Sequence, residues 1–560
     1  MKYSKLVEIY EALAATTKKL EKATILSKGL ITFKGNEELI YFFRGKVFPD
    51  YDEREFGIST QLVIKAISKS AGVPESNVVA KFKKIGDLGE VAQELINRKS
   101  QSALFSNSLT IRKVFDNLRK LVDITGKGSV DKKMSLIVEL LTSSGIEAKY
   151  IVRTLLNDLR VGVADGIMRD AIAEAFFEEP EAKDIVESAY DKVNDWAYVM
   201  KLCEKGKSAL EKVKVVPGKP MKVMLPIKIT ELSEAFRICG KPLAVEHKYD
   251  GFRVLINKEE NGNVSLFTRR LDNVTNQFPD IVEIVKSNVT AKSFIIDTEA
   301  VGFDSKTKKY KPFEAISQRI KRKYHIEKLI KELPVEVNVF DLMFYNGEST
   351  IDLAFSERRK LIEKIIVPKN FAIKLSKQFI SDDEKSILDF YKEALRIGEE
   401  GIMLKRLDAP YRPGRRVGYM VKMKPEARDL DLVITGAEYG TGKRAGGLTS
   451  FYVACAKGGG NFVEIGRVSS GLKEKENSEG TSYTEMDKLL QPLITEEKGR
   501  HVKVKPKIVV SVTYQNIQKS PTYSSGFALR FPRITHYRPD YHIKDIATLE
   551  DIEKEVRKRK

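Results

Sequence analysis

The spacing of apolar residues changes near residue 215, and this change limits the folds open to the chain. Before it, the segments 135–144, 147–160 and 165–177 carry apolar residues at three- and four-residue steps, which predicts amphipathic helices. Asp165 is a candidate N-cap for the last of them. After the linker-like KVVPGKPMKVMLP, with three prolines and one glycine, short β-type runs replace the helical pattern. A chain of 560 residues is also too long for one hydrophobic core, so several domains are expected.

These patterns divide the chain into three predicted regions. Residues 1–215 predict an all-α domain. Residues 216–427 mix short strands with helices and predict an α+β domain built largely from hairpins. Residues 428–560 hold strands separated by glycine-rich turns, which is typical of a small barrel or a sandwich, and end in a charged helix.

Composition narrows the class of function. Lys and Arg number 97 against 78 Asp and Glu, giving a net charge of +19, which favours a polyanionic partner, with nucleic acid as the leading candidate. An organism with lysine-rich protein surfaces is the alternative explanation. Three distant cysteines and five scattered histidines indicate neither a disulfide framework nor a zinc site. The N-terminal stretch lacks the apolar segment of a signal peptide and no run is long enough to span a bilayer, so an intracellular, cytoplasmic protein is expected.

The segment EHKYDG (246–251) places a lysine between an apolar run and a glycine. Lys248 is a nucleophile only when neutral, and burial or a nearby cation lowers the pKa of a lysine toward that state. The strand-like FRVLIN follows Gly251, so a hairpin is expected to present Lys248 to a pocket. A lysine in this pattern alone is also consistent with an ordinary surface position.

Four further fragments follow in order along the chain. Glu299 is expected at the end of an apolar strand and Glu400 just before another strand. Lys422 and Lys424 alternate, so they share one face of a strand, and Phe340 lies in an apolar run. Two carboxylates and two lysines around a third lysine can hold a divalent metal ion and a triphosphate. Taken singly, each fragment is better explained by solvated strand ends, an exposed face or core packing.

As an ordered set these fragments resemble the covalent nucleotidyltransferase superfamily of ATP-dependent DNA ligases and RNA capping enzymes. KYDGFR is similar to its first motif, followed by IIDTEAV, VFDLMFYNG, EEGIML and VKMK. The resemblance to archaeal and eukaryotic ATP-dependent DNA ligases extends through LNDLRVGVADGIMRDAIAEAF, FTRRLDNVT, RLDAPYRPGRRVGYMVKMKP and TYQNIQKSPTYSSGFALRFPRI.

The resemblance implies a role for each site residue. Lys248 would become adenylylated by ATP, and Glu299 and Glu400 would hold Mg²⁺. The implied nucleotide-binding residues are Glu246 at the adenine edge through its backbone, Phe340 stacked on the ring, Lys422 at the α-phosphate with Lys424 nearby, and Arg253, Arg269, Glu299 and Arg416.

The fold implied by the resemblance is multidomain: an all-α DNA-binding domain, a nucleotidyltransferase (adenylation) domain of ATP-grasp-like antiparallel sheets, and a C-terminal OB-fold. The implied function is sealing of nicked double-stranded DNA in replication, repair and recombination, by a nucleoid-associated monomer. An RNA ligase, a capping guanylyltransferase and a non-enzymatic basic nucleic-acid-binding protein are the alternatives.

Two local features bear on this resemblance. The last family motif ends in R-x-D-K, whereas this chain has Tyr541 after Asp540, so Lys544 or Lys519 is expected to take over the pyrophosphate contact. Separately, Gln101, Leu104 and Phe105 distantly suggest a docking peptide for a sliding clamp, with helix packing as the alternative.

Overall fold

The computed structural model describes residues 1–32, 35–52, 54–100, 109–311, 313–320, 322, 326–425, 428–440, 446–474 and 481–558. The chain forms two compact units. The first comprises Met1–Phe82 and Leu88–Pro425, and the second comprises Lys83–Asp87 and Glu426–Lys560. None of the helices in these ranges has both the length and the hydrophobicity needed to cross a membrane.

The N-terminal region is helical, as its periodicity predicts. Its helices are α1 Tyr3–Ala15, α2 Lys19–Ile31, α3 Thr60–Ala71, α4 Glu75–Ile85, α5 Leu88–Ser100, α6 Ile111–Asp123, α7 Ser129–Thr142, α8 Ala148–Leu155, α9 Asp165–Phe176, α10 Ala182–Val193, α11 Trp196–Cys203 and α12 Lys207–Glu211, with a 3₁₀ helix at Glu37–Arg44. Helix α8 ends earlier than its apolar pattern because Asn157 and Arg160 adopt left-handed backbone angles.

The expected N-cap role of Asp165 is wrong. Helix α9 begins at Asp165, and Ala164 occupies the cap position. The Asp165 carboxylate instead accepts from Arg44 and from Lys222 Nζ, the latter at 2.9 Å. The Asp165 side chain therefore bonds to two cations that are distant in sequence, and not to the N–H groups of its own helix.

Residues 227–423 form two mainly antiparallel sheets. The elements are β1 Ile227–Ile229, α13 Leu232–Cys239, β2 Leu243–Lys248, β3 Phe252–Lys258, β4 Val264–Thr268, α14 Pro279–Asn288, β5 Phe294–Gly302, α15 Phe313–Ile320, α16 Ile326–Glu332, β6 Val335–Tyr345, β7 Glu348–Ser349, α17 Phe355–Ile365, β8 Ile373–Leu375, β9 Gln378–Ser381, α18 Glu384–Arg396, β10 Gly401–Arg406 and β11 Met420–Met423. One sheet has the order β1-β11-β10-β2-β9, and the other has the order β4-β3-β5-β6-β7 with β8 beside β6.

The two sheets pack face to face. Leu255, Ile295 and Met343 of the six-stranded sheet share one buried cluster with Met420 of the five-stranded sheet. Separate clusters bury the outer face of each sheet, with α13 and α18 on one side and α14 and α17 on the other. Long apolar runs such as that of β5 follow from this burial, because both of its faces are covered.

The expected hairpin around Gly251 is wrong, because β2 and β3 lie in different sheets. Strand β2 pairs with β10 and β9, whereas β3 pairs with β4 and β5. The connection passes so close to β5 that a Cβ on Gly251 would overlap the Ala300 carbonyl oxygen. The glycine therefore permits a crossing between sheets, and Lys248 sits where the chain leaves the first sheet.

The second unit is rich in strands. It contains β12 Arg428–Tyr439, β13 Leu448–Gly458, β14 Asn461–Val468, α19 Tyr483–Leu490, β15 Ile494–Lys498, β16 His501–Val504, β17 Val509–Tyr514, β18 Ile517–Lys519, β19 Phe527–Leu529, β20 Arg533–Tyr537 and α20 Leu549–Lys558. The long strand β12 pairs with β17 along its first half, with β16 near its end, and with β13 on the other side. The predicted C-terminal charged helix is present as α20.

Candidate active site

Lys248 ends β2, and the register between β2 and β10 brings Glu400 beside it. Gly401 pairs with Lys248, and the Glu400 N–H donates to the Lys248 carbonyl oxygen at 2.9 Å. Lys248 Nζ lies 2.7 Å from Glu400 Oε2, with 21% and 14% of the two side chains exposed. Gly401 has a φ of +143°, and a Cβ there would overlap the Met423 carbonyl oxygen, so this close approach needs glycine. The predicted nucleophile therefore contacts a predicted metal ligand.

Strand β11 supplies two more cations. It pairs with β10, placing Lys422 opposite Met403, and Lys424 follows directly after the strand. The Lys424 ammonium contacts the same Glu400 Oε2 as Lys248 does. Burial opposes ionisation of Glu400, but the charges of Lys248 and Lys424 outweigh it and lower the pKa of that carboxyl to about 2. Glu400 is thus ionised and shared by two lysines.

The sequence predicts Glu299 at the end of a strand, but the residue lies within β5. It pairs across the strands with Arg253 of β3, and its side chain is half-buried. Burial raises the pKa of the Glu299 carboxyl to about 7, although the charges of Lys248 and Arg253 act in the opposite direction. At neutral pH this carboxyl therefore lies near its titration midpoint, where a bound cation would ionise it.

Arg253 is held in a buried network. Its Nε donates to Asp297 Oδ1 at 2.9 Å, its Nη1 to the Met224 carbonyl oxygen at 2.9 Å, and its Nη2 to the Tyr411 hydroxyl at 3.2 Å. The Tyr411 hydroxyl in turn donates to Asp297 Oδ2 at 2.9 Å. The guanidinium carbon lies 5.5 Å from the centre of the Phe340 ring. Asp297 therefore fixes the orientation of Arg253 beside the ring predicted to stack on the base.

Arg269 and Arg416, both predicted to bind the nucleotide, lie close enough to Lys422 to lower its pKa. Burial first, and then the charges of Lys424, Lys248, Arg269 and Arg416, lower the pKa of Lys422 to about 8. Burial and the charges of Arg253 and Arg416 likewise lower the pKa of Arg269. Cations from β2, β11 and two loops therefore converge, an arrangement suited to a polyphosphate.

Glu246 lies two residues before Lys248 on β2, so both side chains are on one side of the strand. Its buried carboxylate accepts from Gln378 Nε2 at 2.7 Å and lies 2.6 Å from Lys405 Nζ. The Lys405 ammonium also lies 4.7 Å from the centre of the Phe340 ring. Lys405 thus connects the two residues predicted to contact adenine.

Sequence reasoning missed four members of these networks. They are Asp297, Gln378, Lys405 and Tyr411. Asp297 and Lys405 stood out in the sequence as charges inside apolar strand runs, where an unpaired charge is costly, and that signal was available. Gln378 and Tyr411 carried no comparable local signal, because their partners are more than a hundred residues away.

Comparison with known proteins identifies the family. The family model described as "DNA ligase N terminus" matches residues 2–173, "ATP dependent DNA ligase domain" matches 223–424, and "ATP dependent DNA ligase C terminal region" matches 444–541. Curated proteins named DNA ligase from Nanoarchaeum equitans and Thermococcus fumicolans are 46% and 42% identical, each over 99% of this chain and 98% of their own length. The chain belongs to the ATP-dependent DNA ligase family. The activity that follows from this membership is ATP-dependent DNA ligation.

A solved structure supports the overall ligase fold. The structure named "Pmar-Lig_PreS3" has a TM-score of 0.57 at 18% identity, covering 95% of this chain and 98% of its own. The ligase family assignment confirms a multidomain chain with a helical N-terminal region, a nucleotidyltransferase domain and a sheet-rich C-terminal region. It also decides against the RNA-ligase, capping-enzyme and non-enzymatic alternatives.

The carboxylates available for a divalent ion in this ligase are few. Within the described ranges, no group of three or more His, Cys, Asp or Glu side chains has the spacing of a metal site. Two oxygen ligands from Glu299 and Glu400 nevertheless suit Mg²⁺, which keeps several waters and takes other ligands from substrate phosphates. The raised pKa of Glu299 and the shared charge of Glu400 fit carboxylates that exchange cationic partners.

The last family motif, which begins at Arg538, and the two lysines expected to compensate for Tyr541 belong to the second unit. Arg538 belongs to the second unit, where it binds Asp540 through Nε at 3.0 Å and Nη2 at 2.9 Å and lies 3.7 Å from the centre of the Tyr541 ring. Lys519 and Lys544 are in the same unit. Gln101, Leu104 and Phe105 lie outside the described residues, so clamp docking stays a prediction.

Proposed function

We propose that this ligase seals nicks in duplex DNA that carry a 5′-phosphate and a 3′-hydroxyl, through a Lys248–AMP intermediate. The observation that supports this most directly is the shared Glu400 carboxylate, which lies 2.7 Å from Lys248 Nζ and also contacts Lys424. This contact holds the amine at the edge of a cation-rich pocket. A nitrogen nucleophile splits a difficult condensation into accessible stages.

In the first step Lys248 Nζ attacks the α-phosphorus of ATP. A nitrogen–phosphorus bond forms, the bond to the bridging oxygen of the β-phosphate breaks, and pyrophosphate leaves. The attacking amine must first lose a proton, because only the neutral amine carries the lone pair that attacks phosphorus. A Mg²⁺ ion held by Glu400 would compete with Lys248 for this carboxylate.

The nucleotide is held by the residues around Lys248. Phe340 stacks on the adenine ring, and Glu246 recognises the adenine edge through its backbone. Lys422 contacts the α-phosphate with Lys424 nearby. Arg253, Arg269, Glu299 and Arg416 complete the binding site. Convergent cations stabilise the charge that develops on the transferring phosphoryl group.

Glu299 and Glu400 would hold Mg²⁺, which would neutralise negative charge on the phosphates under attack. In the second step the 5′-phosphate at the nick takes AMP from Lys248. In the third step the 3′-hydroxyl attacks that activated phosphate, a phosphodiester forms and AMP leaves. The helical region holds the duplex through exposed amides at its helix N-termini.

We propose the domain limits 1–215 for the helical DNA-binding domain, 216–427 for the nucleotidyltransferase domain and 428–560 for an OB-fold. The long strand β12, which pairs with β13, β16 and β17, supports a closed barrel of this kind. The proposed working form is a monomer that acts on chromosomal DNA in replication, repair and recombination. Lys544 or Lys519 replaces the lysine that the last motif lacks at Tyr541.

A labelling experiment tests the nucleophile. The purified chain is incubated with ATP labelled at the α-phosphate and Mg²⁺, and protein-bound label is measured. We expect label on the unmodified chain and none on Lys248→Ala, while that variant still seals a nick that already carries 5′-adenylate. GTP in place of ATP leaves no label.

Sealing itself is then measured on nicked DNA and nicked RNA with ATP and Mg²⁺. We expect sealing of the DNA alone. Label retained by Lys248→Ala would overturn the assignment of the nucleophile, and preferential sealing of RNA would overturn the substrate assignment.

A further inference from the structure

The connection between β10 and β11, residues 407–419, touches the active site on one side and the helical region on the other. We call this segment the arginine loop. Its Tyr411 is fully buried and donates to Asp297 Oδ2, and the other oxygen of that carboxylate, Oδ1, accepts from Arg253 Nε. Further along the loop, the charge of Arg416 contributes to the lowered pKa of Lys422. The arginine loop therefore supplies part of the nucleotide site.

Helix α10 of the helical region forms ion pairs with Arg415 of the arginine loop. Arg415 Nη1 lies 2.9 Å from Glu187 Oε2, and its Nη2 lies 3.2 Å from Asp184 Oδ1. The Arg415 carbonyl oxygen accepts from the Leu225 N–H at 3.0 Å, which fixes the backbone at the same point. Two carboxylates one helical turn apart on α10 thus face one guanidinium of the loop.

The loop backbone also touches α10 directly. Gly414 has a φ of +70°, and a Cβ there would overlap the Asp191 carboxylate. Asp191 is itself fixed, because Lys222 Nζ lies 3.1 Å from its Oδ1 and the Lys222 N–H donates to its carbonyl oxygen at 2.8 Å. The fit between loop and helix therefore leaves no room for a side chain at residue 414.

We propose that helix α10 positions Arg416 in the nucleotide site by holding Arg415, so that the helical region sets the affinity for ATP before DNA is bound. Consecutive Cα atoms are fixed about 3.8 Å apart, so a shift at Arg415 is passed to Arg416. Arg415 and its partners on α10 are positioning residues that do not touch the nucleotide. This inference rests on the proposed role of Arg416 and gives the helical region a part in the first step.

The test measures Lys248–AMP formation by the full chain without DNA, at increasing ATP concentration. Arg415→Met, and the double variant Asp184→Asn with Glu187→Gln, are expected to raise the half-saturating ATP concentration about three- to tenfold. The maximal rate should change less than about twofold, because the reacting groups are untouched. Arg415→Lys should recover part of the affinity, since a lysine can still reach one carboxylate.

Arg412→Met is the matched control. Arg412 belongs to the same loop, but its Nη1 binds Asp352 Oδ1 of the catalytic region at 2.8 Å instead of a carboxylate of α10. This variant should keep the ATP dependence of the unmodified chain. Glu187 also pairs with Arg169, at 3.2 Å, but Arg169 does not belong to the loop. Combining Arg415→Met with the α10 double variant should therefore add nothing further to the shift in ATP dependence, because both remove the contact between Arg415 and α10.

A glycine pair gives an independent comparison. Gly414→Ala drives a methyl group toward Asp191 and should raise the half-saturating ATP concentration at least as much as Arg415→Met does. Gly347→Ala carries a similar backbone penalty, with φ at +94°, but its new methyl group meets nothing within 4 Å, so ATP dependence should not change.

The inference is overturned if Arg415→Met and the α10 double variant leave the ATP dependence unchanged, or if Arg412→Met shifts it equally. It is also overturned if the Arg415 and α10 effects add. Absence of labelling on the unmodified chain would instead reject the proposed function itself, so the two failures are distinguishable.

Discussion

Two sets of charged side chains in the catalytic region differ in how their charges are matched. Arg358 and Asp341 are both almost fully buried and meet in two parallel contacts of 2.7 and 3.1 Å. The Arg358 Nη1 also donates to the Ala409 carbonyl oxygen at 3.1 Å. By contrast, Lys248 and Lys424 share the single carboxylate of Glu400 at the edge of solvent.

The difference separates charges that maintain the fold from charges that bind a ligand. A buried arginine whose N–H groups already donate to protein oxygens has no donor available for a substrate. Burial and an excess of neighbouring cations lower the pKa of Lys422, and a group of this kind gains most when a polyphosphate and a metal ion arrive. Local charge balance therefore distinguishes the two sets better than burial alone.

The sharpest way to test this comparison is to remove one cation from each set. Arg358→Met leaves Asp341 buried without its partner and should lower the free energy of unfolding by about 3–5 kcal/mol. Lys248→Ala removes a cation from a crowded group and should change that free energy by less than about 1 kcal/mol. Chemical denaturation of both variants gives the two values. Equal losses would show that the two sets do not differ in the way proposed.

The sequence predicted the local placement of several site residues. Lys248 does end a strand, Glu400 does precede one, and Phe340 does lie in a buried strand run. The position of each residue relative to its strand is set by apolar runs and glycines within a few residues of it, so the local sequence predicts it. The family resemblance added their order along the chain.

What could not be predicted depends on pairing over long separations. The glycine after Lys248 suggested a hairpin, yet β2 and β3 pair with strands far along the chain and lie in different sheets. The same limit hid the contact of Glu246 with Gln378 and Lys405, and of Arg415 with α10. No local pattern encodes which distant strand or helix completes such a contact.

A second prediction concerns Glu400, the carboxylate that Lys248 and Lys424 share. Glu400→Gln removes a proposed Mg²⁺ ligand and should slow Lys248–AMP formation about 10²–10³-fold at neutral pH. The deficit should narrow as the Mg²⁺ concentration is raised, because weakened metal binding is then partly overcome. Single-turnover labelling at several Mg²⁺ concentrations gives the result. A rate within twofold of the unmodified chain would exclude Glu400 from the metal site.

The smallest expected effect comes from the titration of Lys422, whose pKa of about 8 belongs to the cation-rich set. Below pH 8 the ammonium is charged and ready for its proposed contact with the α-phosphate, and above pH 8 the free protein must gain a proton to make that contact. Affinity for a non-reacting ATP analogue should therefore fall about tenfold between pH 7 and pH 9, as the charged fraction of a group with this pKa falls by that factor. Lys422→Arg stays charged across the range, so its binding should vary much less with pH. If titration calorimetry finds the same fall in affinity with pH for the unmodified chain and for Lys422→Arg, the fall is caused by the titration of another group. Lys422 would then belong with paired charges such as that of Arg358.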